Sequence, residues 1–539
     1  MKISGHIIDI VGHRIYDGEV EVESGVIKSK VEKKSVEDQY LLPGFIDAHV
    51  HIESSMITPS EFARMAVVHG TVATVSDPHE IGNVLGIPGV NYMIDNGNQV
   101  PFKFFFGAPS CVPATQFETA GATIDIDGID QLLRRPEIKY LAEMMNWPGV
   151  LQGDPLVTAK ITSAKKYGKV VDGHAPGLRG KQAARYIAAG ITTDHECFTA
   201  EEALDKLKYG MKILIREGSA AKNFEALINL MHDHWQHMMF CSDDKHPDSL
   251  EEGHINLLVK RALGKGIDLY KVLTVACINP ILHYTLDIGT LKEGDHADFI
   301  VVNNLQELKV KQTYSKGFLA AENGHTKIER VHSKVINHFT VSEKAPSDFA
   351  FKFKGSKIRI IEALDGQLIT NELIDRPKTQ NGFVISDTSR DILKITVVNR
   401  YANVPPSVAF IKNFGLKQGA LASSVGHDSH NIIAVGVDDE SICHVINLII
   451  RSKGGVAAIS NNDEMVIPLP VAGIMSNEDG YKVSKMYKAI DRMAKDMGST
   501  LGAPFMTLSF MALLVIPSLK ISDKGLFDGN RFEFVDPSI

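Results

Sequence analysis

The chain has 539 residues, 44% of them hydrophobic and 23% charged, with a formal net charge of -8 at pH 7. That length exceeds what one core organises and implies roughly two to four domains. An acidic balance without long single-sign blocks excludes a nucleic-acid footprint, and the most apolar late stretch, 505–520, is interrupted by Thr507, Ser509 and Pro517 and falls short of the ~20 residues of a membrane span, so it reads as buried core.

The N-terminus reaches Asp9 without the apolar run of a signal peptide, and the five cysteines, Cys111, Cys197, Cys241, Cys277 and Cys443, are scattered with no Cys-x-x-Cys. Both features point to a cytoplasmic protein without disulfides or a thiolate metal site. Residues 1–40 carry short β-branched runs such as 5–10 and 18–27, expected to form antiparallel strands of a small sheet. From residue 41 apolar strands end in polar clusters and lead into helical patterns, the alternation of a parallel βα fold. The predicted strands are 44–51, 71–75, 102–106, 140–142, 170–173, 191–194, 212–216 and 238–242, with helical patterns such as 60–68 and 182–189 between them. Eight such units over 41–284 match a (β/α)8 TIM-like barrel, whose chemistry sits at the carboxyl ends of its strands. Gly289 then opens a turn feeding the strand 299–302, expected to rejoin the N-terminal sheet, so that 1–40 and 285–340 make a composite β-sandwich domain. Residues 345–539 mix strands such as 395–398 with helices such as 439–453 and form an additional C-terminal α/β domain, the whole chain being of the α/β class.

The predicted strand tips carry the chemistry. In Pro43-Gly44-Phe45-Ile46-Asp47-Ala48-His49-Val50-His51 the two histidines point to the same side of a strand and can meet one cation. Glu143 stands at the fourth tip, His174 at the fifth, His195 at the sixth and Asp243 at the last. Imidazole and carboxylate without thiolate suit divalent Zn, Mn, Fe or Co. Four histidines and two carboxylates are too many for one tetrahedral ion but suffice for two if a carboxylate bridges, and such a pair can hold a hydroxide as nucleophile. A second cluster, His232-Asp233-His234-Trp235-Gln236-His237, lies in a helical pattern where only His234 and His237 could share an ion, and an exposed polar helix face is the simpler reading.

The Pro-Gly-Phe-Ile-Asp-x-His-x-His stretch, the single histidines after two later strands, the final Asp243 and the trailing Leu291-Lys292-Glu293-Gly294-Asp295 resemble the amidohydrolase superfamily. His49-Val50-His51-Ile52-Glu53-Ser54-Ser55-Met56, Ser76-Asp77-Pro78-His79-Glu80-Ile81-Gly82-Asn83-Val84, Cys241-Ser242-Asp243-Asp244-Lys245-His246-Pro247 and Val425-Gly426-His427-Asp428-Ser429-His430-Asn431 are similar to the bacterial adenine deaminase family, over essentially the whole chain. The resemblance implies hydrolytic deamination of adenine to hypoxanthine and ammonia by a metal-bridging hydroxide, with two divalent ions, manganese first, iron or zinc as alternatives. It implies that His49, His51 and Asp243 contact one ion, that His174 and His195 hold the other, and that Glu143 bridges them. Asp243 is expected to relay the hydroxide proton. His79 and Glu80 are expected either to contact the purine or carry protons, or to be a Pro-anchored helix start; Asp244 and His246 either touch substrate or hold the loop around Pro247; His427 and His430 either cover the barrel mouth or form a polar turn. The partner is a small purine, with neither nucleic acid nor membrane, in a homodimer or higher homo-oligomer. A hydantoinase-like or imidazolone-type hydrolase shares the barrel and His-x-His, but there the bridge is usually a carboxylated lysine, whereas Lys139 begins its strand and Glu143 occupies the tip. A metal-free scaffold protein of this fold is the non-enzyme alternative, and the six intact ligands argue against it.

Overall fold

In a computed structural model describing residues 1–539, eight strands lie parallel in chain order: Phe45–His51, Thr71–Ser76, Lys103–Ala108, Ile138–Met144, Val170–Gly173, Thr193–Asp194, Lys212–Arg216 and Met238–Cys241. The ring closes where Asp243 and Asp244, just past the last strand, pair parallel with Val50 and His51 of the first. Asp47 locks that seam: its carboxylate accepts the Ser242 backbone N–H at 3.0 Å, faces the Ser242 hydroxyl, and lies 2.7 Å from His254 Nε2.

The barrel interior is filled by apolar side chains, among them Ile46, Ala48, Val75, Phe105, Tyr140, Ala142, Leu214 and Met239. Simple alternation from Ile46 and Ala48 would turn His49 and His51 outward. Instead the first strand slips register against the second between Asp47 and Val50, and the fourth slips against the fifth between Leu141 and Met144. Each slip inserts one extra residue, a β-bulge that re-aims the side chains beyond it. Val50 and Met144 therefore pack outward in the main core, while His49, His51 and Glu143 turn to the mouth.

The flanks of the barrel meet in one sheet of eight strands. Lys2–Asp9, Arg14–Glu23, Val26–Glu32 and Tyr40–Pro43 continue through the pairing of Tyr40–Pro43 with Phe299–Val302 into Val310–Ser315, Phe318–Glu322 and His325–Thr326. Ile7, Val20, Ile27, Phe299 and Val301 form its core, and the buried Lys103 amine, 2.6 Å from Asp298, ties it to the barrel.

The C-terminal part builds a second eight-stranded sheet, antiparallel except where Ile358–Ala363 runs beside Ser407–Lys412, and covers it with the helices Asp439–Ser452 and Gly480–Asp496. Its inner face does not pack alone: Ile361, Leu393, Val435 and Phe510 share one continuous core with Ile52, Met56 and Ile81 of the barrel. The late apolar stretch is buried as its sequence implied, with Pro504–Phe510 helical. No helix is long and apolar enough to cross a membrane.

Candidate metal centre

The six side chains at the strand ends meet at the barrel mouth, none more than 7% exposed. His49 Nε2 and His51 Nε2 face each other at 3.2 Å, and Asp243 Oδ1 lies 3.4 and 3.2 Å from them. Two imidazole lone pairs and a carboxylate oxygen repel unless something positive lies between them. The triangle they form matches the edge of a tetrahedron, about 3.3–3.4 Å, drawn by nitrogen and oxygen ligands 2.0–2.1 Å from a zinc-class ion. His51 Nδ1 is 3.2 Å from the Asp77 carbonyl, a contact that sets the tautomer presenting Nε2 inward.

Glu143 joins this set to a second one. Its Oε1 is 3.4 Å from His51 Nε2, while its Oε2 is 2.9 Å from His174 Nδ1 and 3.3 Å from His195 Nε2. Burial would raise this carboxyl, but His174 and His195 hold it well below the usual carboxylate range, so it stays ionised and one oxygen faces each group of histidines. The second set is braced from below by Lys206, whose buried amine donates to the Ala175 carbonyl (2.7 Å), Asp194 (2.6 Å) and Glu202 (2.8 Å), pinning the neighbours of His174 and His195. The donor set fits two divalent ions.

Sequence reasoning missed two buried groups here. Arg216, the last residue of its strand, turns inward to form an ion pair with Glu196 and lies 2.7 Å from Asp243 Oδ2. Glu196 Oε1 in turn is 3.3 Å from His195 Nε2, a further oxygen within reach of the second set. A carboxylate directly after the strand-tip His195 and an arginine at a barrel-strand end were the available signals. Asp243 itself has φ = 54°, a left-handed backbone that non-glycine residues take at a cost of order 1–3 kcal/mol, tolerated where surroundings over-determine it.

The C-terminal part roofs the centre. His79 and Glu80 open the helix His79–Leu85, as one alternative had it, and both also line the cavity. Glu80 is clamped between His427 Nδ1 and His430 Nε2, which settles the 427–430 segment as a cover over the barrel mouth. Burial would lower His427, yet Glu80, with Asp244 and Asp428 nearby, lifts it to about 9, whereas burial leaves His430 below its ordinary value. Glu80 thus sits between one charged and one neutral imidazole. His79 Nδ1 is 3.0 Å from Asp77 and its Nε2 3.6 Å from Asp428, a further carboxylate beside the cavity. Asp244 lines the cavity and accepts the Ser54 hydroxyl at 2.5 Å, but His246 stands behind it against Tyr487, ring to ring at 4.5 Å. Of the two histidines that could share an ion, His237 is exposed and His234 partly buried, and neither lines this cavity. Met145, Leu368, Phe510 and Leu513 add apolar walls to this space, which leaves only about 20 Å3 free between its side chains, well under the roughly 300–1,000 Å3 of ligand pockets.

A barrel of this kind, with histidines and carboxylates gathered on its strand ends, defines a metal-dependent hydrolase of the amidohydrolase class, and the amidohydrolase family model matches residues 40–320. The model described as the adenine deaminase C-terminal domain matches residues 367–533. Curated relatives extend over the full length: the chain is 54% identical to the adenine deaminase of Salinibacter ruber over 99% of this chain and 98% of that one, 54% identical to that of a Sulfurovum species over 99% of both, and 50% identical to that of Methanosarcina mazei over 99% of both. The chain belongs to the adenine deaminase family of amidohydrolases.

Proposed function

We infer that this chain hydrolyses the exocyclic C–N bond of adenine, releasing hypoxanthine and ammonia. The full-length match, at 54% identity, to proteins named adenine deaminase carries this reading. The centre supports it, because four histidines and two carboxylates converge at the barrel mouth beneath apolar side chains of the C-terminal part.

In this proposal His49, His51 and Asp243 hold one ion, His174 and His195 hold the second, and Glu143 contacts both. Manganese is the proposed metal, a choice compatible with imidazole and carboxylate donors. Bound there, a pair of divalent ions supplies hydroxide-strength nucleophilicity at neutral pH and Lewis acidity. Asp243, whose Oδ1 faces the histidine pair, takes the proton of the attacking water and passes it toward a ring nitrogen or the departing amine. Phe510, Leu368 and Leu513 cover the ring faces, while Glu80, His79 and Asp428 offer hydrogen bonds to its polar edge. Five free, buried cysteines accord with a reducing cytoplasm.

Chelated protein should release no ammonia from adenine and recover activity on adding manganese. Among adenine, guanine, cytosine, hydantoin and dihydroorotate, adenine should be turned over fastest; silence on adenine with turnover of another compound would overturn the assignment. Because His430 is one of two imidazoles holding Glu80, His430→Ala should lower kcat/KM by about 10–100-fold, the usual cost of losing a group that orients a functional residue, with the melting temperature little changed. Steady-state kinetics beside a thermal melt checks this.

A further inference from the structure

Lys520 is a buried amine beside the cavity lining that the mechanism leaves unused. It lies in the strand Leu519–Ser522, is 0% exposed, and has no carboxylate within ion-pairing distance. Its Nζ instead donates to two main-chain carbonyls, Leu368 at 2.6 Å and Phe510 at 2.9 Å. These belong to segments far apart in sequence, the loop after Ile358–Ala363 and the end of the helix Pro504–Phe510, and the side chains of both residues line the cavity. Main-chain bonds accompany this knot, from Thr370 N–H to the Pro517 carbonyl at 3.1 Å and from Ile521 N–H to the Met511 carbonyl at 2.9 Å. Each of these, however, ties only one of the two segments to the strand.

We propose that Lys520 is a positioning residue that sets the spacing of Leu368 and Phe510, and thereby the width of the slot that grips the flat face of the substrate. The chemistry of the amine suits this task. An uncompensated buried charge is costly, and burial pushes Lys520 down to about 7. The neutral amine retains two N–H donors, one for each carbonyl, so both acceptors are satisfied in either protonation state. A methionine in its place would fill the same space, leave the Leu368 carbonyl without a donor and leave the Phe510 carbonyl only the Leu513 N–H, 3.2 Å away. Glutamine brings a neutral NH2 with two donors on a shorter stem and can restore the link in part.

This inference rests on the adenine reading only for its kinetic arm. Loss of slot geometry weakens ground-state and transition-state binding alike, so Lys520→Met should raise KM for adenine about tenfold, within the range a misfitted apolar pocket costs, while kcat changes by less than about twofold. Lys520→Gln should lie between Lys520→Met and the parent protein. Bound manganese per chain should be equal in all three. The second arm needs no substrate: amide hydrogen exchange in Lys520→Met should accelerate in 366–370 and 505–514 and stay unchanged in the barrel strands. Unchanged exchange in those two segments overturns the proposal whatever the substrate is. With adenine turnover present in the parent protein, an unchanged KM, or equal losses spread over kcat and KM, overturns it as well. If Lys520→Met does not fold, Lys520→Gln alone carries the same two readouts.

Discussion

Replacing Glu143 by alanine is expected to remove the chain's capacity to hold two ions and to lower kcat/KM by more than about 10^3-fold, beyond the roughly 10–100-fold that accompanies loss of an outer-sphere partner. The reason is positional. Glu143 is the carboxylate within 4.0 Å of both histidine sets, at 3.4 Å from His51 and 2.9 Å from His174, whereas Asp243 comes that close only to His49 and His51. Glu196 approaches only the second set and is already engaged by Arg216. Without Glu143 the two sets are held together only by the barrel, and four buried imidazoles face one another with one anionic partner fewer. Glu143→Gln keeps the shape and one oxygen but not the charge, so it should retain one ion weakly. Binding to the native state raises stability by mass action, so manganese should lift the melting temperature of the stripped parent protein and leave that of Glu143→Ala unmoved. Retention of two manganese ions per chain by Glu143→Ala, measured by elemental analysis, would remove Glu143 from its bridging role.

The part of this centre that could be read from sequence is the part whose signal is local. His49 and His51 stand two apart at the end of an apolar run, and His174, His195 and Asp243 each close a short β-branched or apolar segment, so strand, tip and chemistry coincide within a few residues. Glu143 was legible for the same reason, but the device that aims it was not. The bulges at Asp47–Val50 and Leu141–Met144 depend on which neighbour each strand meets, and a run such as Ile46-Asp47-Ala48-His49 fits either parity until the partner register is known. The third strand, Lys103–Ala108, ends two residues later than its apolar run suggested, because Gly107 and Ala108 pair with Tyr140 and Leu141 despite low strand propensity. The roof was undecidable for a different reason. His430 meets Glu80 across 350 residues of chain, and Gly426-His427-Asp428-Ser429 has the composition of any polar turn. Arg216 likewise reads as a charged strand end, and only Glu196 and Asp243, brought from two other strands, make its burial tolerable.

Asp243→Asn is expected to lower kcat by about 10²–10⁴-fold, the range associated with a general acid–base group, while the protein keeps most of its metal. The two oxygens of this carboxylate meet different partners. Oδ2 is 2.7 Å from Arg216 Nη1, and Oδ1 is the atom that faces His49 and His51. Burial would raise Asp243, but Arg216 above all, then His49 and His51, hold it well below the ordinary range, so it is ionised and ready to accept at neutral pH. The same pairing makes it a weak base, one that keeps a proton only briefly and must release it to the leaving group within the same turnover. Asparagine preserves the carbonyl oxygen that can still face the histidine pair, and Arg216 retains Glu196, so the fold and the second histidine set should survive. What asparagine lacks is a site for the proton. The measurement therefore pairs manganese content with kcat: metal near the parent level with turnover reduced at least about 10²-fold assigns the proton to Asp243. Turnover that falls only in proportion to lost metal leaves Asp243 as a ligand alone, and the proton then belongs to the Glu80–His427 pair that lines the same cavity.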